Sequence, residues 1–204
     1  MSAGGRRRRG GYLIPVAVIS LALAAGLVAL EPPDTLQDAL LRGSAWLGYL
    51  TVFYAIVSSA YMRQMSSFFG RSFIRVHHIV SITGLIMITL HPLIVALRRG
   101  TLAVFIPVTT SWQGFLAEGG RAAWYLFVIA SLVALFRRPL GRGWRAVHLL
   151  TYPAFGLAST HIVLRSEGVH ALVAWALALI VAVLLIHRYL WRPAMNRRRT
   201  GGKR

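Results

Sequence analysis

The sequence predicts an all-α integral membrane protein, a six-transmembrane-helix bundle with both termini cytoplasmic. Three observations carry this: long apolar runs separated by short basic segments, a composition of 56% hydrophobic and only 14% charged residues, and a one-sided distribution of arginine. So few charges cannot cover the surface of a soluble chain of 204 residues. The net charge of +18 does not suit a nucleic-acid binder either, because the basic residues lie between apolar runs and not on a soluble face with interleaved aromatics. There is no cysteine, which excludes disulfides, zinc thiolates, iron–sulfur clusters and a thiol nucleophile.

The six runs are residues 12–30, 45–61, 76–97, 122–136, 147–164 and 169–190. A hydrocarbon core about 30 Å thick needs about 20 helical residues, fewer where flanking arginines snorkel to the interface, and the fourth run depends most on that help. The chain thus divides into a basic N-terminus (1–11), a transmembrane domain (12–190) and a basic tail (191–204). The run 12–30 with Arg6–Arg9 before it is longer than the usual core of a signal peptide. No small-x-small cleavage site precedes Glu31-Pro32-Pro33, so it is expected to stay.

With Arg6–Arg9 cytoplasmic and six crossings, 18 of the 23 basic residues fall on the cytoplasmic side. The other face keeps Arg42, Arg98, Arg99, Arg121 and Arg165, together with every acidic residue: Glu31, Asp34, Asp38, Glu118 and Glu167. This is the positive-inside pattern. The loop 101–120, TLAVFIPVTTSWQGFLAEGG, mixes apolar residues with Pro107 and two late glycines. It is expected to dip into the outer interface as a lid or docking surface, and the basic ends to meet anionic headgroups.

Seven histidines remain: His77, His78, His91, His148, His161, His170 and His187. In the third run, RVHHIVSITGLIMITLHPL, His77 and His91 are fourteen residues apart, about four turns less 40° and about 21 Å of rise, so they share a face at two depths. His78 and His91 fall on nearly opposite faces of a straight helix, which makes His77 the better partner; His78 is a spare interfacial imidazole, or the ligand if the helix is irregular. The fifth run, GWRAVHLLTYPAFGLASTHIV, places His148 and His161 thirteen residues apart, about 20 Å in rise but out of phase in a straight helix. Pro153 lies between them and can alter the local phase.

Both runs ascend in the same direction, so His77 is level with His148 and His91 with His161. For a single buried histidine a hydrogen-bonded packing role is as good a reading as ligation, but four at matched depths on two parallel spans favour ligation. Two imidazoles from two helices complete six-coordinate haem iron, one on each face of the macrocycle. A zinc or copper shell would need further donors at each level, and a proton relay would normally use intramembrane carboxylates, which the spans lack. His170 and His187 are expected at the two interfaces. Arg75 and Arg145, two or three residues before an inner histidine, are placed to pair with haem propionates or to act simply as positive-inside residues.

These two segments resemble the haem-binding core of the ferric reductase-like transmembrane domain superfamily, which includes ferric reductases, NADPH oxidases and the haem-bearing membrane subunit of the bacterial methionine sulfoxide reductase system. The likeness covers roughly residues 45–190. It implies an inner b-type haem on His77 and His148 and an outer one on His91 and His161. The small size is similar to the methionine sulfoxide reductase branch, from which the chain differs by its inner histidine on the third helix. It differs from the eukaryotic branches in ending fourteen residues after the last run, with no glycine-rich phosphate site for a flavin or nicotinamide domain.

The functional expectation is a membrane cytochrome b of a bacterial-type inner or plasma membrane. It would pass electrons from a separate flavoprotein reductase or quinol to an outer-face acceptor, such as a ferric substrate or a periplasmic reductase, with nucleic acid excluded as a partner. The alternative is a transporter, or a proton- or metal-conducting protein, that uses the same histidines.

Overall fold

The computed structural model describes residues 13–69 and 72–191, and all regular structure among them is helical. In order these are α1 (Leu13–Leu30), α2 (Leu36–Ala60), α3 (Met62–Phe69), α4 (Ser72–Arg99), a 3₁₀ turn (Leu102–Phe105), α5 (Trp112–Ala117), α6 (Gly119–Leu135), α7 (Trp144–His148), α8 (Thr151–Arg165), α9 (Gly168–Ile186) and a π-helical turn (His187–Trp191). The arginine run Arg6–Arg9, Arg71 and the basic tail beyond residue 191 lie outside the described residues.

Four segments are long and apolar enough to cross a membrane: Leu36–Ala60, Phe73–Arg99, Trp144–Arg165 and Gly168–Tyr189. The first and fourth expected spans correspond to shorter helices. α1 has 18 residues and α6 has 17, which rise about 27 and 25 Å against a core of about 30 Å. What the structure establishes is therefore an all-α membrane protein with four full-length candidate spans. Its outer surface agrees with this. Leu21, Ile79, Ile82, Leu172 and Leu179 are each more than half exposed, an arrangement unfavourable in water and natural against lipid tails.

α2 begins nine residues before the apolar run that announced it. Thr35 is the N-cap: its hydroxyl accepts the Asp38 backbone N–H at 3.1 Å, and the Asp38 carboxylate accepts the Thr35 O–H at 2.9 Å. That exchange, close in form to a capping box, satisfies a donor the helix start would otherwise leave unpaired. α4 stops where Gly100 adopts φ +62°, with Gly100 N–H to Leu97 O at 3.4 Å and Thr101 N–H to Ala96 O at 3.1 Å. This pair of bonds is a Schellman cap, which requires a residue tolerant of left-handed backbone.

α2 is the central helix. Half of its apolar window is buried, against 17% in each of the other three long spans. Its Trp46, Tyr49, Leu50 and Phe53 pack with Phe127 of α6, Phe155 of α8 and Val181 of α9. Tyr49 stacks on Phe155 at 4.7 Å, and its hydroxyl bonds Ser159 Oγ at 2.8 Å and donates to Ala174 O at 3.2 Å, so one side chain fastens α2 to both α8 and α9. α4 lies close along α2 because Gly48 faces Ile88 and Gly84 faces Val52. A Cβ on Gly48 would fall 2.7 Å from Ile88 Cγ2 and 2.9 Å from the Ile88 backbone nitrogen. Small residues at a helix crossing allow such backbone approach in a membrane, where helix association depends on packing.

The fifth run is not one regular helix. Between α7 and α8, Leu149 and Leu150 keep helical φ near −60° with ψ of −16°, and the bonds Leu150 N–H to Val147 O and Tyr152 N–H to Leu149 O, both 3.0 Å, join residues three apart. That is 3₁₀ winding. Its cause is Pro153, which has no N–H for the Leu149 carbonyl four residues back; the Tyr152 N–H takes that carbonyl in its place.

Candidate functional site

The over-wound turn brings the two histidines of the fifth run nearer to one face. In regular α-helix, thirteen residues leave His161 about 140° from His148, and each step wound at about 120° in place of about 100° takes about 20° from that offset. In α4 the helix is continuous from His77 to His91, so the fourteen-residue phase applies directly.

Two cavities follow. The wide one, about 490 Å³, is lined by His91 of α4 and His161 of α8, with Trp46 and Tyr49 of α2, Trp124 and Phe127 of α6, and Phe155 among its walls. The narrow one, about 50 Å³, is lined by His77 of α4 and His148 of α7 together with Ser59, Ser81, Ser131 and Thr151. Val52, Ile88 and Phe127 line both, so they form the partition between the two levels. The pairing by depth, His91 with His161 and His77 with His148, is therefore the pairing of cavity walls.

The imidazoles are held in a common way. His91 Nδ1 lies 3.2 Å from Leu41 O, His161 Nδ1 2.6 Å from Ala117 O and His148 Nδ1 3.0 Å from Ala130 O. A carbonyl only accepts, so each Nδ1 carries a proton, and in the neutral ring Nε2 keeps its lone pair. His77 is the exception: the Ala55 carbonyl lies beside it, but Nδ1 is buried without a hydrogen bond. A ring that donates through Nδ1 to a backbone carbonyl presents Nε2 as a metal ligand in a fixed orientation.

The donor sets can be tested against a haem. At the wide cavity two oriented imidazoles line a space within the range of about 300–1,000 Å³ usual for cofactor sites, with aromatic walls, so ligands and volume both fit. The narrow cavity has the two imidazoles but a volume well below that range, so the second haem expected there has donors and no room. Among the described residues no group of three or more His, Cys, Asp or Glu side chains converges, which disfavours a zinc shell built from protein ligands. A six-coordinate haem iron needs only two.

The remaining site residues fall as follows. His78 is exposed, its ring 6.1 Å from that of His77, and it lines neither cavity. Arg75 is exposed, and Arg145 lies over the Trp144 ring at 5.8 Å; neither lines a cavity. The arginines that do line one are Arg42, Arg99, Arg121 and Arg165, all at the wide cavity, accompanied by Glu31 and Glu118. Arg42 pairs with Glu31 at 3.4 Å, and Glu118 pairs with both Arg121 and Arg165. The helical spacing of four from His161 to Arg165 was the sequence signal for this, since it puts both on one face.

His170, expected at an interface, is buried. Its Nε2 donates to Leu27 O at 2.8 Å, its Nδ1 is 3.4 Å from Glu31, and its ring lies 5.5 Å from Trp46. It also lines the wide cavity and joins α9 to α1 and α2. His187 is exposed at the far end of α9, next to Arg188, which donates to Ser59 O at 3.0 Å. The loop 101–120 contributes Val104 and Phe105 to the wide cavity and leaves Trp112 71% exposed.

In comparisons with known proteins, the chain matches no family model, no curated protein and no solved structure.

Proposed function

We propose that this chain is a membrane cytochrome b, a six-span bundle with both termini cytoplasmic, carrying electrons between a separate donor and an acceptor at the wide-cavity face. The observation that carries the proposal is the orientation of His91 and His161: each is fixed through Nδ1 by a backbone carbonyl and lines one aromatic cavity of cofactor size. The likeness of the two histidine segments to the ferric reductase-like superfamily supports the same reading.

A b-type haem bound there supplies one-electron redox chemistry at a low-dielectric position. The chain's own residues do the rest. Leu41 O and Ala117 O set the rings, Trp124, Phe127 and Phe155 exclude water, and the arginines around the cavity offset negative charge near its mouth. The donor in this reading is a flavoprotein reductase or a quinol. The acceptor docks on the face that carries Glu118 and loop 101–120, in the plasma membrane of a bacterial-type cell. The histidine spacing also served a proton- or metal-conducting reading. The Nδ1-to-carbonyl bonds favour fixed ligands over relay groups, because a relay ring must exchange protons at both nitrogens.

The deciding experiment is the reduced-minus-oxidised absorption spectrum of detergent-purified protein with pyridine-haemochrome quantification. A low-spin b-type spectrum with about one haem per chain is expected from the two volumes. No haem, in protein produced with ample haem supply, overturns the proposal.

A further inference from the structure

Leu157, His161 and Arg165 are spaced four apart on α8 and form one stripe. The segment Ala117–Arg121, at the junction of α5 and α6, meets that stripe position by position. In the middle, Ala117 O accepts His161 Nδ1–H at 2.6 Å, and Gly120 leaves room for the ring, since a Cβ there would lie 3.0 Å from His161 Cδ2. One turn below, Gly119 abuts the Leu157 carbonyl, where a Cβ would stand at 3.2 Å. One turn above, the Glu118 carboxylate is shared between Arg165 and Arg121, with Arg121 Nη2 at 3.0 Å and Nε at 3.1 Å. Arg121 in turn donates to Ala103 O at 3.1 Å and Ile106 O at 2.8 Å, which ties the 3₁₀ turn of loop 101–120 to the same junction.

We infer that Glu118 is a positioning residue for His161. It holds α8 at the height and rotation at which Ala117 O can take the Nδ1 proton, and so sets the direction in which Nε2 enters the wide cavity; what Nε2 binds rests on the cytochrome reading above. The physical case is one of charge. A carboxylate between two guanidiniums, about a fifth exposed, makes charge-assisted bonds that orient both partners. Without it, two like charges face each other across the α6–α8 contact, one of them a single turn from His161. The other carboxylate at the cavity, Glu31, pairs with Arg42, lies 3.4 Å from His170 Nδ1 and reaches across to α1, α2 and α9 in place of α8, so it serves as the control.

The test compares Glu118→Ala, Glu118→Gln and Glu31→Ala in the full-length, detergent-solubilised protein. Diethyl pyrocarbonate labelling, mapped by mass spectrometry, reads each ring without requiring haem. Glu118→Ala is expected to raise the His161 labelling rate, with His170 unchanged, because Ala117 O is then no longer held against the ring. Glu118→Gln, which keeps the shape and can still hydrogen-bond, should fall between. Glu31→Ala should show the reverse pattern, with His170 altered and His161 not. Where haem is present, reduced Glu118→Ala should also bind carbon monoxide in a fraction the wild type lacks, because a loosened axial histidine opens a coordination position. An unchanged His161 rate in both Glu118 variants overturns the inference, as does a parallel rise at His161 and His170, which would mean general loosening. A wild type without haem fails the cytochrome reading alone, because the labelling still decides the role of Glu118.

Discussion

The two histidine levels offer a controlled comparison within one chain. Both draw one imidazole from α4 and one from the fifth run, both face apolar partition residues, and three of the four rings donate to a backbone carbonyl. They differ about tenfold in volume, about 490 against about 50 Å³. They differ also in lining, four arginines and two glutamates against serines and a threonine. Donor type and depth pairing are thus shared while room and charge are not, and a ligand pair read from spacing alone cannot distinguish a cofactor site from a small polar pocket.

The sharpest way to break this comparison is to delete ligands. His91→Ala and His161→Ala are each expected to abolish the haem spectrum, whereas His77→Ala and His148→Ala should leave haem per chain unchanged. A loss of half the haem in the latter pair would show that the narrow cavity opens to hold a second group. Next in size is Gly120→Ala, whose Cβ would press on the His161 ring. Haem affinity, followed by titration into apoprotein, should fall by about tenfold, with little change at the other level.

Two further substitutions address the packing of α2 against its neighbours. Gly48→Ala puts a methyl against the Ile88 backbone, which cannot swing away, so a loss of about 1–3 kcal/mol is expected, read as a lower Tm in detergent. Tyr49→Phe removes the bonds to Ser159 and Ala174 but keeps the stack on Phe155; about 0.6 kcal/mol is the usual size of such an interhelical bond in a membrane, so the change in Tm should be the smallest of the set.

The sequence disclosed the helical membrane class and the depth pairing of the histidines because both follow from periodicity and rise. It disclosed less where side chains act across elements. The start of α2 was misplaced because an apolar window ignores a polar first turn, although Thr35 and Asp38 carried the cap signal in plain form. Arg75 and Arg145 are near an inner histidine along the chain and line neither cavity. The guanidiniums that line a cavity come instead from α2, α4, α6 and α8, an assembly that only tertiary packing creates. His170 looked interfacial from its position at the head of a span, and is buried because α1 and Trp46 close over it. The narrowness of the level at His77 and His148 is a product of tertiary packing, which the spacing of histidines along a helix does not report.

The tight turn ahead of Pro153 gives the fifth run a property that a uniform helix would lack. Residues on either side of it are set at an angular offset that one imino acid influences, much as two keyed sections of a shaft are indexed by the pin between them. Chain length above and below can then be conserved while the relative bearing of His148 and His161 is adjusted at a single joint. Insertion of one residue anywhere between them would turn the upper section by about 100° and move His161 out of its cavity wall, so this short stretch tolerates substitution far better than any change in length.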